Sequence, residues 1–229
     1  MNRIIASLPD DARRLIEADL QVVQLRKGDL LYRADEPLSH VFFPHGGLIS
    51  LVVVMESGQT AEVSLVGREG IVCSGIVLDV QNAIDQATVE VGGEASRLSA
   101  ASLIRAYRSH DKFRAVVNRH HAMFIAEGRQ STACNAIHHI GPRLCRWLAN
   151  ARDQSGIDDL QLTQDFLGRM LGVQRTTINQ VCTDLAAQGI IDTIRGHIRI
   201  LQPDALRDRA CECYGILRNR FTQLFPEGG

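Results

Sequence analysis

The sequence predicts an α+β chain with an N-terminal β-barrel of the jelly-roll type, a long central helix, and a C-terminal domain of short helices and a hairpin. Short apolar runs separated by glycine-containing turns fill residues 20–99. A helical pattern without proline follows over residues 111–138, and a helix–glycine–helix–hairpin pattern occupies residues 162–200. The expected divisions are 1–110 for the barrel, 111–140 for the long helix and 141–229 for the C-terminal domain.

Composition limits the class of protein. The chain has 229 residues, 45% of them hydrophobic, which is enough for two domains with their own cores. Its net charge of −1 means that any affinity for nucleic acid must come from a local basic surface. We see no signal peptide and no apolar run long enough to span a membrane, so we expect a cytoplasmic protein without a membrane partner. The six cysteines are scattered, and we expect them to be reduced.

Turn residues divide the first hundred residues into short strands. Glycine-containing turns occur at residues 27–29, 45–47, 56–59, 67–70 and 92–93. The segments between them, such as residues 41–43, 48–55 and 61–66, are apolar or alternate between apolar and polar. Many short strands at nearly regular spacing are typical of a barrel or jelly roll.

The long helix carries more apolar residues than a lone surface helix needs. A helix that joins two domains and has spare apolar surface is a natural dimer seam. The alternative is that the helix packs only on its own barrel. The predicted dimer stripe consists of Phe113, Val117, His120, Phe124 and Ser131.

The C-terminal pattern begins with a short helix. Thr163 is a suitable N-cap, and Asp165 places a negative charge in the first turn, where the helix dipole favours it. Phe166, Leu167, Met170 and Leu171 give an apolar face, and Gly172 ends the helix.

A second helix is predicted to begin near Gln174. Its apolar residues, Ile178, Val181, Cys182 and Leu185, are three and four apart, so this face is buried. The opposite face carries arginine and amide side chains, which are the types that pair with guanine and adenine edges. That face consists of Arg175, Thr176, Asn179, Gln180 and Thr183.

A hairpin with a basic tip follows the second helix. We expect Ile194, Ile198 and Ile200 on one face and residues 195–197 at the tip. A basic hairpin beside such a helix is typical of a winged helix-turn-helix, in which the wing contacts phosphates. The alternative is a small packed domain without a nucleic-acid partner. The predicted DNA-binding residues are Thr163, Gln174, Arg175, Thr176, Asn179, Gln180, Arg195, His197 and Arg199.

The order of barrel, long helix and winged helix-turn-helix resembles the Crp/Fnr family of bacterial transcription regulators. The motifs that carry the resemblance are Arg-Leu-Cys-Arg-Trp-Leu-Ala at 143–149, Leu-Thr-Gln-Asp-Phe-Leu-Gly at 162–168, and Gly-Asp at 28–29. The resemblance implies a cyclic-nucleotide-binding-like barrel, a homodimer through the long helix, double-stranded DNA as partner, and contact with RNA polymerase.

The chain departs from the phosphate cassette of family members that bind cyclic nucleotides. That cassette has a Gly-Glu pair and then an arginine, whereas here no arginine lies between Arg68 and Arg97. Asp85 stands roughly at the position of the missing arginine and would repel a phosphate. Glu69, Gly70 and Asp85 are the candidates for an effector pocket. We expect no cyclic AMP, so the barrel senses another effector or none.

No metal or iron–sulfur cofactor is expected. The oxygen-sensing members use cysteines near the N-terminus, and no cysteine precedes Cys73. Cys134 and His138 are one turn apart, while Cys211 and Cys213 are expected to point away from each other on one helix. The histidine pairs 120–121 and 138–139 are further candidate ligands, and a metal or redox sensor stays open as an alternative.

A cupin-like barrel enzyme with an appended DNA-binding domain is the other alternative. Cupins hold a metal with closely spaced histidines, and the barrel histidines His40 and His45 lack that spacing. No nucleophile–base pair is recognisable either, so we expect no enzymatic activity.

Overall fold

The structure is a computed structural model, and it describes residues 1–194 and 196–226. Its helices are α1 (Arg3–Ala6), α2 (Asp10–Glu17), α3 (Ala100–Ser109), α4 (Asp111–Ile137), α5 (Ile140–Ser155), α6 (Gln164–Leu171), α7 (Arg175–Ala187), α8 (Pro203–Asp208) and α9 (Cys213–Leu224). Its strands are β1 (Gln21–Leu25), β2 (Leu30–Tyr32), β3 (His40–Pro44), β4 (Leu48–Val54), β5 (Thr60–Val66), β6 (Gln86–Val91), β7 (Gly93–Ser99), β8 (Asp159–Leu160), β9 (Ile191–Ile194) and β10 (His197–Ile200). A 3₁₀ helix spans Ser74–Leu78. This order confirms the predicted α+β class.

Two antiparallel sheets form the N-terminal roll. One has the strand order β1-β7-β3 and the other the order β2-β6-β4-β5. Strands distant in the chain are therefore neighbours, as in a jelly roll. Ile49, Leu51, Val72 and Val89 are among the buried residues of the roll interior. The predicted barrel of jelly-roll type is confirmed.

Helix α4 packs along the roll and the N-terminal helices. Its N-cap is His110, whose Nδ1 accepts a hydrogen bond from Phe113 N at 3.3 Å. Phe113, Val116 and Val117 share one buried cluster with α1, α2 and α3, and Phe221 of α9 joins the same cluster. The final helix of the chain therefore returns to the long helix and the roll.

The C-terminal domain is built on α5. Leu144 and Leu148 of this helix share a core with residues of α6 and α7. The three-stranded sheet β8-β10-β9 closes the domain. The helical conformation is interrupted between α4 and α5 at His138 and His139, whose backbones are extended. Gly141 and Pro142 lie in the first turn of α5.

The C-terminal domain docks on the roll. Leu48 and Leu65 of the roll belong to the core of the C-terminal domain. The backbone N of Arg68 donates to the carbonyl of Gln154 at 2.9 Å. A Cβ on Gly67 would lie 2.4 Å from that same carbonyl oxygen, so only glycine permits this approach.

None of the helices in the described ranges has the length and apolar character needed to cross a membrane.

Candidate nucleic-acid interface

Helix α6 begins and ends where its local chemistry requires. Thr163 Oγ1 accepts a hydrogen bond from Phe166 N at 3.1 Å, which caps the helix. Gly172 ends it with φ +67°, a left-handed conformation that glycine adopts without steric cost. A Cβ on Gly168 would lie 2.9 Å from the Val173 carbonyl, so this glycine allows the turn to close tightly. Helix α7 is thereby held against α6.

Helix α7 separates its residues by face. Gln174 precedes it in an extended conformation, and Ile178, Cys182 and Leu185 are buried. The residues of the predicted reading face are exposed, so their side chains are free to meet base edges in a major groove. These are Arg175, Thr176, Asn179, Gln180 and Thr183.

The hairpin of β9 and β10 has a register that the sequence did not reveal. Ile198 is paired with Thr193, and Ile194 is paired with His197. Paired residues share a sheet face, so Ile194 lies on the face opposite Ile198 and is 55% exposed. The expectation that Ile194 packs with Ile198 and Ile200 is wrong, because the register pairs Ile194 with His197 and so places it on the other face of the hairpin. Arg195, predicted at the tip, lies outside the described residues.

The basic side chains of the hairpin are partly neutralised. Asp159 of β8 accepts from Arg199 Nη2 at 3.3 Å and lies 3.1 Å from His197 Nδ1. The hydrogen bond from His197 and then that from Arg199 lower the pKa of Asp159, so this carboxylate stays ionised beside both bases. The charge that the hairpin offers to a phosphate is therefore smaller than its sequence suggests.

A cleft of about 270 Å³ separates α6, α7 and the hairpin. Thr163 and Gln164 at the start of α6 line one side, and Gly196 and His197 line the other. Arg175 also reaches this cleft. A helix N-terminus beside a basic side chain is a suitable place for a phosphate group. Thr163 therefore lies at this cleft, which Asp165 also lines, and not on the exposed face of α7.

Glu69 and Gly70, two candidates for an effector pocket, are held by the N-terminus and the last helix. Glu69 accepts from Arg3 Nη1 at 2.7 Å with one oxygen and from Arg218 Nη1 at 2.5 Å with the other. The Gly70 carbonyl accepts from Asn2 Nδ2 at 2.9 Å. Both carboxylate oxygens of Glu69 are thus already occupied by cations of the chain itself.

A small cavity lies between these residues and α4. Glu69, Gly70, His120 and Glu127 are among its lining residues, and its volume is about 20 Å³. That volume holds about one water molecule, whereas small-molecule sites occupy roughly 300 Å³ or more. Burial raises the pKa of Glu127 to about 7, and the nearby Glu69 adds to this effect.

Asp85, the third candidate, lies apart from this cavity. Its Oδ1 accepts a hydrogen bond from the Tyr32 hydroxyl at 2.9 Å. Burial raises the pKa of Asp85, while the hydrogen bond from Tyr32 opposes that rise. The structure therefore brings Glu69 and Gly70 together and does not bring Asp85 to them.

The stripe predicted for a dimer seam faces the chain's own core. Phe113 and Val117 are 1% and 2% exposed and belong to the cluster shared with α1 to α3. His120 Nε2 accepts from Ile71 N at 3.0 Å, and burial lowers the pKa of His120 to about 3, so the ring is neutral. The assignment of Phe113, Val117 and His120 to the seam is therefore wrong, and Phe124 and Ser131 are half-buried.

Another face of α4 has heptad spacing and is exposed. Its residues alternate in steps of three and four, which is the spacing of a two-helix seam. Four of them are alanine or threonine, and Ile125 is 54% exposed. The sequence alone does not single out this face, because its small residues give a weaker hydrophobic signal than the buried stripe. The face consists of Ala115, Asn118, Ala122, Ile125, Arg129, Thr132 and Ala136.

The two barrel histidines do not form a metal site together. His40 Nδ1 contacts Ser39 Oγ at 2.9 Å, and His45 Nε2 contacts Ser96 Oγ at 2.9 Å. These separate partners give no support to a cupin-type centre.

Cys211 and Cys213 do not lie on one helix. Cys211 lies in the link between α8 and α9, and Cys213 is the first residue of α9. Both lie near the end of α4. Their sulfur atoms lie within 4.8 Å of the ligand atoms of Cys134 and His138 and of each other. The expectation that the two cysteines point apart is wrong, because the chain ends its helix at Asp208 and starts a new one at Cys213. The sequence signals for this cluster are the Cys-x₃-His pair at residues 134 and 138 and the Cys-x-Cys pair at residues 211 and 213.

A jelly-roll domain joined by a long helix to a winged helix-turn-helix defines a class of DNA-binding regulators. The cyclic nucleotide-binding domain model matches residues 22–110, and the Crp-like helix-turn-helix domain model matches residues 142–209. Together the two models span more than half of the chain in the order that the fold shows. The chain belongs to the Crp/Fnr family of transcription regulators.

Solved structures agree with this fold. FixK2 from Bradyrhizobium japonicum has a TM-score of 0.70 at 15% identity, over 84% of this chain and 98% of that one. A CRP/FNR-family regulator from Thermus thermophilus has a TM-score of 0.65 at 20% identity, over 83% and 98%. The c-di-GMP responsive global regulator CLP from Xanthomonas campestris has a TM-score of 0.66 at 12% identity, over 84% and 99%. Among proteins with curated descriptions, no sequence matches significantly.

Proposed function

We propose that this regulator acts as a homodimer that reads a roughly palindromic DNA site with α7. The observation that carries the proposal is the exposed polar face of α7, which stands beside the N-terminus of α6 and the hairpin. Arg175, Asn179 and Gln180 supply the side-chain types that pair with guanine and adenine edges. Arg199 and His197 of the hairpin contact phosphates of the DNA backbone, and such contacts add affinity without reading the base sequence.

The exposed heptad face of α4 supports the dimer. Two parallel copies of this face bring Ile125 against Ile125 and alanines against alanines, which lets the helices approach closely. Asn118 stands at a seam position, where a polar residue fixes the register of the pair. Gly128 lies beside the seam, and a Cβ built on it would meet no atom within 4 Å. This position therefore does not hinder the approach of a second helix.

We propose further that the roll does not bind a cyclic nucleotide through the contacts usual in the family. Glu69 is held by Arg3 and Arg218, Asp85 is an acid at the expected arginine position, and the adjoining cavity is about 20 Å³. CLP is called c-di-GMP responsive, but at 12% identity its effector is not carried over to this chain. The roll then either works without an effector or recognises a different one.

The test is selection of bound sequences from a random duplex pool by the purified, effector-free chain at moderate salt. A dimeric reader should enrich a two-fold palindrome whose half-sites are centred roughly 10–10.5 base pairs apart. Enrichment of a single half-site would contradict the dimer. If the folded chain enriches nothing, the effector-free state does not bind DNA, and the alternative in which the roll works without an effector fails.

A further inference from the structure

Four side chains with metal-binding atoms meet where α4 ends. Cys134 Sγ and Cys211 Sγ are 3.5 Å apart, and Cys213 Sγ is 3.5 Å from His138 Nδ1. All four ligand atoms lie within 4.8 Å of one another. The three cysteines are at most 7% exposed, and their sulfurs form a small cluster separate from the main cores.

These separations fit one tetrahedral ion. Bonds of about 2.3 Å to sulfur and about 2.0 Å to nitrogen place two sulfurs about 3.8 Å apart and a sulfur and a nitrogen about 3.5 Å apart. We propose that Cys134, His138, Cys211 and Cys213 bind a single Zn²⁺ ion in a closed structural site. This proposal departs from the sequence-based prediction of no metal.

Two polar side chains lie beside the four ligands. Gln130 Nε2 donates a hydrogen bond to Cys213 Sγ at 3.1 Å. Glu212 Oε1 lies 3.7 Å from His138 Nε2, the ring nitrogen that does not face the cysteines. At 3.7 Å the Glu212 carboxylate is an ion-pair neighbour of the His138 ring and not its hydrogen-bond partner. The N–H donor to Cys213 would stabilise the charge of a thiolate.

The donor set selects the metal. Three thiolates and one imidazole with no open position are typical of structural zinc, whereas magnesium and calcium require oxygen ligands. A four-iron cluster would bind each ligand to a different iron atom, and a two-iron cluster would bind two ligands on each iron, so both would hold the four ligand atoms farther apart than a single ion does. The compact arrangement therefore points to one ion.

The ion would connect two parts of the chain across the break between α4 and α5. Cys134 and His138 belong to the end of α4, and Cys211 and Cys213 belong to the C-terminal domain. His138 and His139, with extended backbones, form the covalent link there. Binding of zinc would fasten the C-terminal domain to the long helix and limit rotation at this link.

Metal content is the first measurement. The full chain is purified under reducing conditions from cells grown in zinc-supplemented medium. It should contain one zinc per chain by inductively coupled plasma mass spectrometry. Co²⁺ added to the stripped chain should give the visible absorption of a tetrahedral ion and a thiolate charge-transfer band. A folded, reduced chain without zinc, and without these bands, would overturn the proposal, as would a Cys134–Cys211 disulfide in the purified chain.

Matched variants assign the ligands. Cys211→Ser and His138→Ala should each weaken zinc binding by more than roughly tenfold, because loss of a group that only orients a ligand already costs roughly 10–100-fold and these residues are the ligands themselves. Cys145→Ser and His139→Ala are the controls, because Cys145 is a buried thiol elsewhere and His139 is the exposed neighbour of His138. Circular dichroism verifies that each variant is folded. Equal zinc content in Cys211→Ser and Cys145→Ser would contradict the assignment.

Hydrogen exchange tests the link between the domains. Zn²⁺ added to the stripped chain should slow amide exchange in peptides covering residues 134–142 and 208–214. A peptide covering β4 should change little, since it lies in the roll. Unchanged exchange around residues 134–142 with zinc bound would refute the fastening role. These readouts do not depend on DNA binding, so they fail or succeed separately from the proposed function.

Discussion

Arg175 is the residue that most directly joins the structure to DNA reading. It opens α7, it is exposed, and it also lines the cleft beside the start of α6. From this position an arginine can reach either a guanine edge or a phosphate. These two roles have different consequences for specificity, so one substitution separates them.

Replacement of Arg175 by alanine should cost about 1–3 kcal/mol of discrimination at one base pair if Arg175 pairs with guanine. The measurement is binding to a panel of duplexes with single-base changes in the selected site. Arg105→Ala, which removes an exposed arginine of α3, is the control and should leave the panel unchanged. Uniform weakening on every duplex would instead make Arg175 a phosphate contact.

Asp159 limits the charge of the hairpin, since it pairs with both His197 and Arg199. Asp159→Asn should therefore tighten binding to all duplexes by up to about fivefold for each of the two pairs it removes, because an exposed charge pair contributes about 0.2–1 kcal/mol. The dependence of affinity on salt should also steepen. Titrations at several salt concentrations measure both effects.

Asp158→Asn is the matched control for this prediction. It removes the same charge one residue earlier, but its partner is Arg152, outside the hairpin. The two variants should differ in affinity and in salt slope. If the two variants have equal DNA affinity and salt slope, or if the change is confined to particular DNA sequences, the hairpin does not contact the DNA backbone as proposed.

Helix α4 carries two stripes with similar spacing, of which one is buried and the other exposed. The more apolar stripe, with Phe113 and Val117, is buried in its own protomer, and the poorer one, with Ala122 and Ile125, is exposed. A helix that closes its own domain must first cover that domain's core. The face that remains for a partner is accordingly the one with small residues and a few larger apolar ones.

Ile125→Glu should convert the proposed dimer to monomers at micromolar concentration. Burial of each isoleucine stabilises the pair by about 1.5–3 kcal/mol, and the substitution places two carboxylates against each other in the seam. Analytical ultracentrifugation gives the dissociation constant, which should rise by roughly a hundredfold or more.

Ile84→Glu is the control for the seam. Ile84 is 78% exposed on a loop of the roll, so the same substitution there changes surface charge without touching α4. The control should remain dimeric. A dimer that tolerates Ile125→Glu as well would place the two-fold contact on another surface.

The sequence predicted the elements whose causes are local. The cap of Thr163, the end of α6 at Gly172 and the polar face of α7 all follow from residues within a few positions of one another. Three features were not predictable in this way. The burial of the Phe113 stripe, the pairing of Ile194 with His197 and the approach of Cys211 to Cys134 depend on contacts between distant segments or on strand register.

At the scale of the whole molecule, Glu62 marks the contact between the roll and the C-terminal domain. It accepts from Trp147 Nε1 at 2.9 Å and from Ser50 Oγ at 2.8 Å. Burial raises the pKa of Glu62 to about 7, the two hydrogen bonds oppose that rise, Glu90 adds to it and Arg146 lowers it. The docked arrangement therefore holds a carboxyl group that titrates near neutral pH.

The direction of the pH effect follows from this raised pKa. Below about pH 4.5 the group is protonated in the docked and unfolded states alike, and above about pH 7 it is ionised in both. Between these values only the docked state holds the proton, so stability falls as pH rises. The total loss from Glu62 is on the order of 3 kcal/mol, at about 1.4 kcal/mol for each pKa unit.

Glu62→Gln should remove this pH dependence, because a glutamine accepts from Trp147 and donates to Ser50 without a charge. Trp147 is the only tryptophan of the chain, so its fluorescence reports on this contact directly. The unaltered chain should show a fluorescence transition near pH 7, and Glu62→Gln should show none. Glu94→Gln, an exposed substitution on β7, should retain the transition. If the transition persists in Glu62→Gln, another group controls the contact between the roll and the DNA-binding domain.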